Sequence, residues 1–512
     1  MDKKTVLAVV LSILVLLVFQ HFYYPTTYSP MVEDNGTIPM DKDTNVKNNT
    51  LNSDFLQPEL QSVKKNTSFD TFRIDNNFLS ILFNKENGNI HSAKIIKYKE
   101  KIVSDIIFET ENNDYFTILS QGGSETKYDI KESENSYIIE FDIFHNDMVF
   151  SKIYTVKKNS YLIKIDYKIS NIGDKSYIIP LEFTIGPGLG KGFDTGKYIF
   201  NGPLIYDNKK IHKKKPAKVK EDIVVQNPLW IGYTSKYFLF AIVGTFPKGS
   251  ITKNGESAQV KMSDELILNP GDIKKSTASI YAGPKEYSYL KSLGFKLEKS
   301  IDFGIFSFLS IPFLMVMNYF YSIFNNFGFA IILLTMIIKI VTFPLTNTSM
   351  ASMRKMQNLQ PEMKKIREKF KGESQKINTA IMDLYKKNKV NPIGGCLPMI
   401  LQIPIFIALY KALLVSIELK GEPFIGWITD LSMKDPYYIT PILMGISMFI
   451  QQRMTPSTGD PNQQKIFMLM PVIFTFLFIN FPAGLVIYWL VNNVLTIIQQ
   501  YFINKRTSAR QI

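Results

Sequence analysis

After residue 326 the chain returns repeatedly to long apolar runs, at about 327–346, 397–417, 437–452, 466–481 and 484–503. Each is close to the roughly 20 residues that an α-helix needs to cross a hydrocarbon core about 30 Å thick. Backbone N–H and C=O groups find no water there, so a run of this kind is read as a helix, which satisfies them internally. A sixth run, Thr5 to about Tyr24, follows Asp2-Lys3-Lys4. It ends in Gln20-His21-Phe22-Tyr23-Tyr24-Pro25, bulky and aromatic instead of small-x-small. That predicts an uncleaved anchor with an interfacial aromatic belt, not a cleaved signal peptide. The fold class that follows has a polytopic α-helical membrane core with six transmembrane helices in total.

Charge placement orients these spans. A formal charge of +14 could by itself indicate a nucleic-acid partner. Residues 344–395, however, hold eleven Lys/Arg against four Asp/Glu, and Lys505, Arg506 and Arg510 close the chain. Basic loops beside spans stay on the cytoplasmic side. With the N-terminus inside, 344–395 and 453–465 fall inside and the C-terminus is cytoplasmic. Segment 418–435, with two Lys against four Asp/Glu, falls outside.

Between the anchor and the core the sequence changes character. Residues 25–60 are rich in Asn, Asp, Thr, Ser and Pro and read as a disordered tether. Residues 61–295 alternate with period two. In Ile163-Lys164-Ile165-Asp166-Tyr167-Lys168-Ile169 the apolar side chains share one face, as in a half-buried strand, and Tyr137–Ile143 is similar. Asn87-Gly88, Gln121-Gly122-Gly123 and Asn254-Gly255 mark turns. The expectation is an antiparallel, all-β, sandwich-like domain outside the cytoplasm. The glycine-rich stretch 186–192 lacks the spacing of a phosphate loop and reads as a plain loop. Segment 296–326, interrupted by Pro312 and relieved by Asn318 and Asn325, reads as amphipathic or interfacial. The five-helix core then spans 327–505, and 506–512 form a short basic tail.

Within the core, 347–392 predicts a cytoplasmic helical hairpin. Met353, Met356, Leu359, Met363, Ile366 and Phe370 recur at spacings of three and four, as do Ile377, Ile381 and Leu384 after Lys371-Gly372. Arg354, Lys355 and Arg367 make its outer faces basic. Those faces are either simply solvated or a dock for an anionic partner such as ribosomal RNA or lipid headgroups. The methionine seam is also adaptable enough to take an apolar nascent segment.

Polar residues inside the spans are the candidate functional residues. Lys339 lies about twelve residues into its span, where a charge costs a few kcal/mol on insertion scales. Thr335 and Thr342 share its helix face by i+4 and i+3 spacing. Trp489, Asn492, Thr496 and Gln499 form a similar stripe on the last span, and Gln402 and Gln452 add amides on two others. Two plainer readings compete. Lys339 could snorkel to the inner interface, five residues from Pro344. The amides and hydroxyls could serve only as interhelical hydrogen bonds. The absence of an acidic residue within any core span favours a hydrated, positively charged groove. No His/Cys cluster has metal-ligand spacing, with Cys396 the one cysteine and His21, His91, His145 and His212 scattered, so no metal, cofactor or enzymatic centre is expected.

The string Asn391-Pro392-Ile393-Gly394-Gly395-Cys396-Leu397-Pro398, followed by Gln402-Ile403-Pro404-Ile405-Phe406, resembles the YidC family of membrane protein insertases. So do Asp435-Pro436-Tyr437-Tyr438-Ile439, the run Gln463–Val472 and Phe481-Pro482-Ala483-Gly484-Leu485. The resemblance covers about 300–505 and implies a bacterial inner-membrane insertase and chaperone with a periplasmic domain. It implies action alone or with the Sec translocon on nascent membrane proteins in the lipid bilayer, with the ribosome and the signal recognition particle receptor as further partners. It places the family's groove threonine at Thr335, its glutamine at Gln402, its aromatic at Trp489 and its cation, usually arginine, at Lys339. Lysine keeps the charge without the planar fork. A secondary transporter or channel is the alternative class, against which no internal repeat or broken-helix pair is visible.

Overall fold

The computed structural model describes residues 70–98, 101–102, 106–109, 125–193, 199–390, 397–455 and 461–508. The predicted anchor, the tether, the Gln121-Gly122-Gly123 turn and residues 391–396 lie outside them. The chain divides into two compact units, Met1–Ile301 and Asp302–Ile512.

The first unit is built on a nine-stranded antiparallel sheet. In spatial order its strands are 211–213, 202–206, 230–234, 238–244, 273–284, 162–171, 148–157, 136–145 and 125–132. The alternation read from the sequence fixes which side is covered. Ile163, Ile165, Tyr167 and Ile169 are buried, while Lys164 is exposed on the opposite face. A four-stranded sheet (177–185, 257–268, 248–254, 223–226) and a five-stranded one (71–75, 79–84, 90–95, 107–109, 190–191) complete the unit. Tyr167 packs on Phe183 of the four-stranded sheet, 5.7 Å between ring centroids, and Tyr154 packs on Phe83 of the five-stranded sheet at 5.0 Å. Tyr154 is in register with Ile165, two residues from Tyr167, so both smaller sheets cover one face of the large one. Asn254-Gly255 makes the predicted hairpin turn, with Gly255 at φ +59°. The glycine-rich stretch is not entirely loop. Gly190-Lys191 pairs with Ile107-Phe108, and a Cβ on Gly190 would lie 2.2 Å from the Ile107 carbonyl oxygen, so only glycine allows that approach. A short helix, α1 (Tyr287–Ser292), and a 3-10 turn (Leu297–Ser300) end the unit.

The second unit is helical: α2 (Ser307–Phe324), α3 (Phe327–Asn358), α4 (Gln360–Lys369), α5 (Ser374–Lys387), α6 (Leu397–Val415), α7 (Ile439–Met454), α8 (Pro461–Phe478) and α9 (Ala483–Ser508). Among the described residues, α2, α3 and α9 are long and apolar enough to cross a membrane, and Ile400–Val415 and Met468–Phe478 are shorter apolar helices.

Two expectations are corrected. Pro312 does not interrupt α2: it removes one backbone bond, to the carbonyl of Phe308, and the helix runs through it, as α3 runs through Pro344. The first arm of the predicted hairpin is not a separate helix either. Residues 347–358 continue α3 without a break, making it about 48 Å long, well beyond the hydrocarbon core. Nothing between Thr346 and Asn358 stops a helix, and the break comes at Leu359, just ahead of Pro361.

Candidate functional site

The site is assembled on α3 and α9, which pack together along their length. Both are apolar for most of their turns, so their polar side chains must find partners in the seam between them. Lys339 of α3 donates from Nζ to Thr496 Oγ1 of α9 at 2.8 Å. The Thr496 hydroxyl in turn donates to the Asn492 carbonyl one turn back, at 2.6 Å, which leaves its lone pairs aimed at the ammonium. Farther along the same seam, Gln499 Nε2 donates to Asn347 Oδ1 at 3.0 Å. Among the described residues no carboxylate pairs with Lys339. The buried amide oxygens of Gln499 and Gln500 have no donor among them.

The other predicted groove residues distribute around this pair. Thr335 is buried and its hydroxyl donates to the Ile331 carbonyl at 2.6 Å; Thr342 does the same to Ile338 at 2.9 Å. Their protons serve their own helix, so neither offers a donor to the groove. Gln402 of α6 donates from Nε2 to the Tyr488 hydroxyl of α9, a residue wholly buried. Trp489 stands beside it in an aromatic cluster with Phe406 of α6 and Phe474 and Phe478 of α8, at centroid distances of 5.0, 5.8 and 5.2 Å. Asn492 and Gln452 are half-buried, and their side-chain amides have no hydrogen-bond partner among the described residues.

Sequence reasoning missed the second polar edge of α9. Asn493 Nδ2 donates to Ser447 Oγ of α7 at 3.0 Å, and Gln500 Nε2 donates to Thr455 Oγ1, also at 3.0 Å. Asn493 and Gln500 are seven apart, one residue offset from Asn492 and Gln499, so the same periodicity that marked the first stripe marks this one. Gly445 of α7 permits close packing on α8, since a Cβ there would sit 2.0 Å from Thr475 Oγ1.

The loop before α7 and the α8–α9 turn are tied together. Ala483 N donates to Met433 O (2.7 Å) and Gly484 N to Leu431 O (3.0 Å). Asp435, about 1% exposed, anchors that loop. It accepts from Thr440 N and Oγ1, each at 2.7 Å, from Tyr437 N at 2.9 Å and from Trp427 Nε1 at 3.1 Å. Burial alone would raise its carboxyl, but these donors outweigh it and hold the group below the usual carboxylate range. Two sequence motifs about 45 residues apart thus form one structure.

The predicted hairpin closes on itself. Met356, Leu359, Met363, Tyr385 and Val390 form a buried cluster, with Met353, Ile381 and Leu384 packed against it. The Tyr385 hydroxyl donates to Met363 Sδ at 3.4 Å. Tyr385, absent from the predicted seam, fills it, so the seam is an interior and not an open receiving groove. Arg354 and Arg367 are half-buried and Lys355 is exposed.

Residues 319–510 match the model of the 60Kd inner membrane protein family, and residues 71–316 match that of the YidC periplasmic domain. The chain is 38% identical over 543 residues to the membrane protein insertase YidC of Geotalea daltonii, covering 99% of this chain and 100% of that one. It is 46% identical over 373 residues to the membrane protein insertase YidC of Geobacter metallireducens, covering 70% of this chain and 68% of that one. A solved structure of an active YidC insertase with its first transmembrane domain resolved is 19% identical, covers 85% of this chain and 93% of its own, and has a TM-score of 0.40.

Proposed function

The chain belongs to the YidC family of membrane protein insertases, and from that premise we propose that insertion runs through the polar seam of α3 and α9, with Lys339 as the point that attracts substrate. Its function is membrane protein insertion, in the inner membrane. The observation that carries the groove reading is the Lys339–Thr496 contact: a cation among apolar turns, held by one neutral hydroxyl. A neutral acceptor is a weak partner for an ammonium. A substrate carboxylate forms a shorter, roughly twice stronger charge-assisted bond and displaces it. Gln402, Gln452 and Asn492 offer polar groups along the path, the hydroxyl oxygens of Thr335 and Thr342 offer lone pairs, and Trp489 walls it with aromatic surface. An acidic or polar segment drawn to Lys339 has less hydrocarbon left to cross, and the apolar span beside it moves into lipid by its own hydrophobicity.

The topology that serves this is six spans, formed by the N-terminal run, α3, α6, α7, α8 and α9. Both termini are cytoplasmic and α2 lies at the outer interface. The basic faces of the hairpin, with Arg354, Lys355 and Arg367, suit the ribosome and the signal recognition particle receptor on the cytoplasmic side, and the Sec translocon is the partner within the bilayer. Reconstitution tests the reading. Liposomes holding the protein should insert a small single-span substrate with an acidic external segment without ATP, and Lys339→Ala should lose much of that activity while Lys339→Arg keeps it. Equal insertion by Lys339→Ala and the parent for every substrate overturns the groove assignment.

A further inference from the structure

The periplasmic domain keeps its positive charge in one place. Residues 70–301 hold 33 Lys/Arg and 28 Asp/Glu, and seven of the lysines lie in the twelve residues 209–220, which contain no acidic residue. The remainder carries 26 basic against 28 acidic residues, with Glu221 and Asp222 closing the stretch. The stretch runs along the edge of the nine-stranded sheet, from the turn before strand 211–213 through the 3-10 turn Pro216–Lys218. Lys209, Lys210, Lys213, Lys218 and Lys220 are exposed, and Lys214 and Lys215 half-exposed. Lys209, Lys210, Lys214, Lys215, Lys218 and Lys220 pair with no carboxylate among the described residues. Asp207 does not neutralise them, because it is occupied in shaping the turn. It accepts from the backbone N–H groups of Lys209 and Lys210 (2.9 and 2.8 Å) and lies 2.8 Å from His212 Nε2.

Lysines on an edge strand guard against edge-to-edge pairing. Here four, Lys214, Lys215, Lys218 and Lys220, lie beyond the strand. A second observation gives the patch an address. Lys296 Nζ donates to Asn208 Oδ1 at 2.7 Å, which ties the lysine-rich turn to the last segment of the unit. Leu297, Ser300 and Ile301 are buried, so that segment is fixed in place, and Lys299 beside them is exposed. From Lys296 the chain reaches Ser307, the start of the apolar helix α2, in eleven residues, at most about 40 Å fully extended and less through the 3-10 turn.

We propose that the lysine-rich edge 209–220, together with Lys296 and Lys299, is a docking surface for the acidic phospholipid headgroups of the membrane leaflet that faces the domain. Charge complementarity selects the occupant, and the eleven-residue path from Lys296 to α2 tethers the domain to the membrane by chain connectivity alone. Each lysine that meets an acidic surface raises association about fivefold. The attraction fades as added salt shortens the screening length from about 8 Å to about 3 Å.

The test uses the full chain with Cys396→Ser, since Cys396 is its one cysteine, and a fluorophore on Ala217→Cys, an exposed position within the patch. The protein is reconstituted in phosphatidylcholine alone, or in phosphatidylcholine with one part in three phosphatidylglycerol, each doped with a headgroup quencher. Quenching should be several-fold stronger in the acidic membrane, be lost at high salt, and be lost when Lys214, Lys215 and Lys218 become Gln. The same three positions changed to Arg should retain it, which separates loss of charge from loss of folding. Equal quenching in both lipids, no quenching in either, or quenching indifferent to the Gln changes overturns the proposal. So does charge-dependent capture of an acidic protein segment with no dependence on lipid.

Discussion

Lys339→Gln, crossed with an Asp→Asn change in the external segment of a single-span substrate, isolates the one interaction on which the groove reading depends. Glutamine keeps a polar donor on α3, one bond shorter than lysine's, and removes the charge. The magnitude follows from the contact in place. Lys339 now bonds a neutral hydroxyl at 2.8 Å. A carboxylate at a comparable position adds an attraction of about 4 kcal/mol at 4 Å in an effective dielectric of 20. Desolvation of the acid and the hydration of the proposed groove take back more than half. A coupling of about 1–2 kcal/mol remains, equivalent to a rate ratio of about 5–30. The assay is the initial rate of protease-protected substrate in liposomes. The parent should insert the Asp substrate about 5–30 times faster than Lys339→Gln does, while the two should differ by less than about twofold on the Asn substrate. Equal slowing of both substrates would refute the reasoning, because Lys339 would then serve only to join α3 to α9. Equal rates throughout would leave the charge with no part in insertion.

Two further outcomes follow from the loop before α7 and from the α7–α8 contact. Asp435 is held below the usual carboxylate range, so its contribution is full above the unfolded value of about 4 and is lost as pH falls through the lower folded value; Asp435→Asn should cost about 1–3 kcal/mol at neutral pH and remove that acid-dependent loss, read as melting temperature in detergent against pH. Gly445→Val puts side-chain atoms where Thr475 Oγ1 stands, and Thr475 also bonds the Pro471 carbonyl at 2.8 Å, so it should cost about 1–3 kcal/mol by the same measurement, with Thr475→Ala restoring most of it.

Much of this architecture is legible because two periodicities carry it. The period of two placed Ile163, Ile165 and Ile169 inside, since a strand offers alternate residues to alternate faces. The helical period grouped Met353, Met356 and Met363 on the seam that the structure closes. What periodicity cannot give is which face meets which. It set Thr335, Lys339 and Thr342 on one side of α3, but not that two of the three hydroxyl and ammonium groups would turn back onto their own helix. It marked Asn492, Thr496 and Gln499 and passed over Asn493 and Gln500, because a helix in contact with two neighbours has two polar edges and a single-stripe template sees one. The end of α3 was missed for a different reason. A change from apolar to basic composition marks the membrane surface, not the end of a helix, and α3 carries its hydrogen bonding straight through that boundary.

The geometry around Thr496 bears on why lysine stands at position 339, where the family resemblance implies arginine. A guanidinium presents five donors in a planar fork and is best met by two acceptors side by side. Here the acceptor is a single hydroxyl whose own proton is spent on the Asn492 carbonyl, and no carboxylate among the described residues stands beside it. One compact ammonium on a flexible stem matches one such acceptor. It also leaves two of its three donors for water or for substrate. An arginine in the same place would have to seek a second acceptor along the seam. The Asn347 amide oxygen is already taken by Gln499, whereas the Gln499 amide oxygen is buried without a donor. A larger cation that turned that amide toward it would separate Gln499 from Asn347, whereas the half-buried Asn492 amide, without a partner among the described residues, offers an acceptor that leaves that bond in place. Lysine keeps both interhelical bonds, Lys339 to Thr496 and Gln499 to Asn347, so α3 and α9 stay joined while, on the proposed reading, the ammonium exchanges its partner for a substrate carboxylate.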